Sequence, residues 1–185
     1  MKIKVIALMG KAGSGKDFIL KHILAANPSY NELISCTTRP KRMGEVNGKN
    51  YYFISEDKFQ ELLDKGMMLE YSVFNSWYYG TSFDTLQPNR VNVGVFNPEG
   101  IRSLLKFQDL FDIHIYWIQA MPKTRMLRQL NREQNPDVNE IVRRYGADEA
   151  DFANIDFEFI SLINETPDDI ADILTAIKRT SDEIR

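Results

Sequence analysis

The apolar run Ile3–Met9 leads into Gly10-Lys11-Ala12-Gly13-Ser14-Gly15-Lys16-Asp17, and a helix-like segment, Phe18–Leu24, follows at once. Few local patterns constrain a fold as tightly. A buried strand that ends in a glycine-rich turn, then a lysine, then a helix is the order a phosphate-cradling loop requires. Gly10, Gly13 and Gly15 let the backbone bend so that successive N–H groups face inward toward an anion. The helix adds the positive end of its dipole, and Lys16 is placed to reach the outer phosphates of a nucleoside triphosphate. One residue departs from the usual pattern: Asp17 stands where a serine or threonine normally follows the lysine.

The chain has 185 residues, enough for one well-buried domain. A formal charge of -3 argues against a general nucleic-acid binder, which would carry a basic surplus. The single Cys36 excludes an internal disulfide and a cysteine-rich zinc site, and it fits a reducing compartment. No apolar stretch approaches membrane-spanning length, and Met1-Lys2-Ile3 runs straight into the first strand without a cleavage signal. A cytoplasmic location with no membrane partner is therefore expected. The sequence carries no signal of oligomeric state.

Strand patterns at Ile3–Met9, Val91–Phe96, Ile113–Ile118 and Phe159–Ile163 alternate with helical patterns. The helices are expected at 16–25, 57–63, 98–107, 122–132, 138–151 and 167–179. Asp137 with Glu140 has capping-box spacing, and Thr166-Pro167-Asp168-Asp169 reads as a capped helix start. Alternation of this kind predicts an α/β fold with a parallel sheet covered on both faces. The block from Ser35 to Tyr79 differs, with many aromatics, short strand-like runs and the turn signal Val46-Asn47-Gly48-Lys49. It reads as a small, partly β insertion beside the phosphate loop, where a second substrate would bind.

Within that block, Arg39 and Arg42 can converge on one phosphate through their guanidinium forks. The segment Ser35-Cys36-Thr37-Thr38-Arg39-Pro40-Lys41-Arg42 continues into Gly44-Glu45-Val46-Asn47-Gly48 and Tyr51. Glu70 then lies ahead of Tyr79-Gly80-Thr81-Ser82. Together these resemble the nucleoside-monophosphate site of guanylate kinases, and the similarity runs with gaps over nearly the whole chain. It implies a phosphate-loop three-layer fold with a core from 1–34, 83–120 and 152–185, a monophosphate-binding module over 35–82, and a helical lid over 121–151.

The resemblance also implies roles. Arg39, Arg42, Tyr51 and Tyr79 would grip the phosphate of GMP, while Glu70, Ser35 and Thr81 would read the guanine edge. The chemistry is consistent, because a carboxylate accepts from guanine N1–H and N2–H, a pair that adenine does not offer. Arg125, Arg128 and Arg132 share one face of a helical pattern. Of these, Arg128 and Arg132 match lid arginines that close on the triphosphate. Arg144 or its neighbour Arg143 matches a further one, and Asn164 matches a residue near the adenine of ATP. The implied reaction is phosphoryl transfer from ATP to GMP or dGMP with magnesium. Lys16, Arg128, Arg132 and Arg144 would be catalytic.

Family members carry two aspartates where this chain has Val95 and Asn97. A strand-end aspartate helps position magnesium in phosphate-loop enzymes, so Asp17 is expected to supply the displaced carboxylate as metal ligand. Two alternatives accompany this reading. One is a kinase of another (deoxy)nucleoside monophosphate, and the other is a non-catalytic guanylate-kinase-like binding module.

Overall fold

The computed structural model describes residues 2–42, 44–74, 76–132 and 134–182. β1 (Ile3–Met9) leads into α1 (Lys16–Ala26), followed by β2 (Asn31–Glu32), β3 (Cys36–Thr37) and β4 (Tyr52–Phe53). Next come α2 (Glu56–Asp64), β5 (Met68–Phe74), β6 (Trp77–Ser82), a 3-10 turn at Phe83–Thr85, β7 (Asn92–Val95) and α3 (Pro98–Leu105). The chain closes with β8 (Phe111–Gln119), α4 (Pro122–Leu130), α5 (Val138–Asp151), β9 (Ile160–Ile163) and α6 (Asp169–Asp182).

Two sheets result. The larger has the order β2-β7-β1-β8-β9, and all of its pairs are parallel. β1 lies at its centre because Val5–Met9 is apolar without interruption, as a strand covered on both faces must be. Alternate residues of β1 serve opposite faces. Val5, Ala7 and Met9 pack with Leu69, Phe96, Ile101 and Leu104. Ile6 and Leu8 pack instead with Ile19, Ile23, Tyr116, Ile173 and Ile177. Helix α3 therefore covers one face, and α1 with α6 covers the other. The smaller sheet, β4-β3-β6-β5, is mixed, with β6 antiparallel to both β3 and β5.

Most boundaries follow the sequence patterns, and the differences have local causes. Asp137 caps α5 by accepting from Glu140 N–H, as the spacing predicts. Helix α6 begins at Asp169 rather than Pro167, because the Asp169 carboxylate accepts from Glu165 N–H and Thr166 N–H, both at 2.7 Å. That turn holds the segment out of the helix. No sequence signal marked β2 or β3, and at two residues each they are too short to show a period.

Parallel pairing brings the carboxyl ends of β1, β7, β8 and β9 to one edge of the large sheet. Met9, Val95, Gln119 and Ile163 end there, each followed directly by loop. In open parallel sheets this edge is where ligands sit.

Candidate functional site

The glycine-rich loop leaves β1 at this edge. Gly13 (φ 79°) and Gly15 (φ 90°) occupy the left-handed region that favours glycine. A Cβ on Gly13 would overlap the Arg125 backbone carbonyl, and one on Gly15 would overlap the Asn164 amide. These close approaches seat α4 and the end of β9 against the loop. Asn164 Nδ2 donates to the Ser14 carbonyl at 2.7 Å. Arg128 Nη1 donates to the Asn164 carbonyl at 2.8 Å and more weakly to the Gly13 and Ser14 carbonyls, and its Nη2 donates to the Glu165 carbonyl at 3.1 Å. In the ligand-free chain Arg128 is thus a main-chain brace.

A cavity of about 260 Å³ opens between the loop and the small sheet. Seven of the sequence-predicted positions line it: Gly10, Ala12, Lys16, Ser35, Tyr51, Glu70 and Tyr79. Val95, Asn97, Asp148 and Asp151 join them from outside that set.

Glu70 follows a register shift on β5 and pairs with Thr81 on β6. Thr81 holds its carboxylate through both side-chain and backbone hydrogen bonds, and the Thr81 hydroxyl lies 3.0 Å from that of Ser35. Burial nevertheless pushes the Glu70 carboxyl up to about 7, against the pull of the Thr81 hydrogen bonds. Gly100, at the start of α3, makes room for this carboxylate: a Cβ there would come within 3.2 Å of Oε2. Asn97 caps α3, its Oδ1 accepting from Gly100 N–H at 2.7 Å.

Arg39 is 5% exposed and places its fork on Glu45, with Nη2 at 2.7 Å from Oε1 and Nη1 at 3.0 Å from Oε2. Its guanidinium lies near the rings of Tyr51 and Phe53 and hydrogen-bonds Tyr79. Glu45 and Tyr79 hold its pKa above the ordinary arginine value. The Glu45 carboxyl is lowered in return, first by the Arg39 hydrogen bonds. Arg42 joins this cluster through its backbone, Arg42 N–H donating to Glu45 Oε2 at 2.7 Å, while its side chain is exposed.

The arginine face of α4 points inward. Arg125 is 3% exposed, and Leu127 is turned to solvent. Arg132 is exposed, and Arg144 Nε donates to Glu140 at 2.8 Å. Asp17 is exposed on the first turn of α1. Burial raises the Tyr51 phenol most, and the charge of Asp17 raises it further. Glu45, Arg125 and Asp148 are site residues that no role was predicted for. Glu45 lies within the Gly44–Gly48 motif and Arg125 has helical spacing from Arg128 and Arg132, whereas Asp148 carries no signal.

The guanylate kinase family model matches residues 2–183 of this chain. A guanylate kinase from Nostoc is 46% identical over 78 residues, 42% of this chain and 39% of that protein. One from Trichormus variabilis is 34% identical over 171 residues, covering 84% of each chain. The crystal structure of guanylate kinase from Anaplasma phagocytophilum superposes with a TM-score of 0.67 at 19% identity, covering 98% of this chain and 87% of that one. The phosphate-loop α/β fold is common to both.

Proposed function

This chain belongs to the guanylate kinase family, and on that premise we propose that it transfers the terminal phosphoryl group of ATP to GMP or dGMP. The observation that carries the reading is Glu70. A carboxylate held by Thr81 in a cleft shared with Lys16 suits the N1–H and N2–H donors of guanine. A base without those donors leaves a buried charge unpaired, which makes such a site selective.

In this reading the 35–82 module holds the monophosphate. Ser35 and Thr81 face the guanine oxygen, and Arg39, Arg42, Tyr51 and Tyr79 hold the acceptor phosphate. The 10–17 loop and Lys16 hold the donor phosphates, with Asn164 supporting the loop near the adenine. Arg132 and Arg144 come in from the 121–151 lid as it closes, and Arg128 keeps the loop in shape. Transfer of this kind depends on alignment and charge neutralisation. Closure also expels water, which would otherwise take the phosphoryl group.

The donor set fits a magnesium ion shared with ATP. Among the described residues no three potential ligands are grouped to hold a metal by themselves. Magnesium in phosphoryl-transfer sites takes one or two carboxylates and completes its shell with phosphate oxygens and water. Asp17, exposed in the first turn of α1 directly after Lys16, is the residue that would hold it. Bound there, the ion would neutralise charge on the outer phosphates.

Among the described residues no helix is long and apolar enough to cross a membrane. We assign the reaction to the cytoplasm, where ATP and nucleoside monophosphates meet. A coupled ADP-release assay with GMP, dGMP, AMP, UMP and TMP tests the proposal. Turnover is expected with GMP and dGMP. Preference for another monophosphate, or binding without turnover, would overturn it.

A further inference from the structure

Helix α5 lays two carboxylates on the glycine-rich loop. Asp148 Oδ2 accepts from Ala12 N–H at 2.6 Å, and Glu149 Oε2 pairs with Lys11 Nζ at 2.5 Å. Behind Asp148 lies Arg125, whose guanidinium sits over the Tyr145 ring at 4.7 Å and donates from Nη2 to Glu149 Oε1 at 3.1 Å. Its Nη1 is buried without a hydrogen-bond partner among the described residues and lies 3.9 Å from Asp148 Oδ2. One carboxylate oxygen therefore stands between a loop amide and a buried, unsatisfied guanidinium nitrogen. Lys16 also acts on it electrostatically.

We propose that Arg125 is a further phosphate-contacting residue of the donor site, and that the Asp148 carboxylate stands in the place of a nucleotide phosphate oxygen. The inference rests on the kinase reading and deepens it. Carboxylate and phosphate oxygens make equivalent demands on N–H donors, so a pocket that accepts one accepts the other. A buried guanidinium N–H without a partner is costly, and a phosphate oxygen would satisfy it. The two sides of the contact differ in freedom. Arg125 is fixed to the loop, because its backbone carbonyl lies against Gly13. Asp148 is carried by α5, whose other contacts here are the Tyr145 ring against Arg125 and the pairs of the half-exposed Glu149 with Lys11 and Arg125. Burial raises the Asp148 carboxyl even though Ala12 N–H, Lys16 and Arg125 all favour its charge, so the ion is not fully compensated where it stands. When the triphosphate enters, Asp148 leaves and Arg125 Nη1 and Ala12 N–H turn to the phosphate.

Calorimetric titration with inorganic tripolyphosphate in magnesium-free buffer tests this without the base or the reaction. Asp148→Ala is expected to bind about fivefold more tightly than wild type, and Arg125→Lys in the Asp148→Ala background to weaken binding about tenfold by removing the fork. Thermal melts check that each variant folds. Should the double variant not fold, arginine side-chain 15N spectra of Asp148→Ala decide: a new, slowly exchanging guanidinium signal on adding tripolyphosphate supports contact. Unchanged or weaker binding in Asp148→Ala overturns the proposal, as does unchanged affinity in the double variant or an unchanged arginine spectrum. GMP turnover, measured on the same samples, separates that failure from a failure of the kinase reading.

Discussion

Glu45 lies six residues from Arg39 on the same loop, whereas Asp148 is 136 residues from Ala12 and belongs to another element. Both carboxylates pair with a donor that the proposal gives to phosphate, yet they do so on different terms. The Glu45 contact closes a short loop, makes both bonds of an arginine fork and adds Arg42 N–H. Little entropy is lost in forming it, and the backbone around it is shaped to fit. The Asp148 contact makes one hydrogen bond to the loop and leaves the neighbouring Arg125 Nη1 unsatisfied. Local, multiply bonded partners are scaffold, and remote, singly bonded ones are replaceable. As proposed, the monophosphate side of the cleft is therefore built before substrate arrives, and the triphosphate side is completed by it.

The largest expected effect separates the two sides. Lys16→Ala should lower kcat by about 10³-fold, the scale of losing a preorganised charge from a transition state, while GMP affinity measured by calorimetry stays within about twofold. An equal loss of GMP affinity would break the separation.

Glu70→Gln should do the reverse, lowering kcat/KM for GMP about 100-fold with ATP affinity retained. Steady-state kinetics across pH sharpen this prediction. Burial pushes the Glu70 carboxyl up to about 7, and in the proposed complex its ionised form accepts from guanine. KM for GMP should then be flat above about pH 7 and rise up to about tenfold per unit below it, with no such rise in Glu70→Gln.

A smaller effect distinguishes two arginines that sequence treats alike. Arg128→Ala removes a cation bonded to main-chain carbonyls of the glycine loop and of the neighbouring Asn164–Glu165 segment and should destabilise the fold by about 2 kcal/mol in urea unfolding. Arg132→Ala, at an exposed position, should stay within about 0.5 kcal/mol.

The same contrast between local and remote determinants governs what the sequence discloses. β1 and α5 could be read to the residue, because a long apolar run and a capped helix carry their own boundaries. The glycine loop is equally legible, since positive φ at Gly13 and Gly15 is a local demand. Ser35, Tyr51, Glu70 and Tyr79 could be named from motif context, and the small sheet brings them to one cavity. Other features depend on tertiary placement. Arg128 bonds to carbonyl oxygens, which have no sequence signature. Burial of Arg125 follows from the seating of α4 on Gly13, while Arg132, which shares its face in the sequence pattern, stays exposed. Nothing in the spacing of Asp148 shows that α5 brings it to Ala12.

Crossed calorimetry on two single variants bears most directly on the contrast between a built site and a completed one. Glu45→Ala should weaken GMP about tenfold and leave tripolyphosphate unchanged, because Arg39 loses the partner that aims it. Asp148→Ala should leave GMP unchanged and tighten tripolyphosphate about fivefold. Opposite signs on separate ligands are the predicted result. Weakening of both ligands by both variants would contradict it, since the two carboxylates would then be one kind of scaffold.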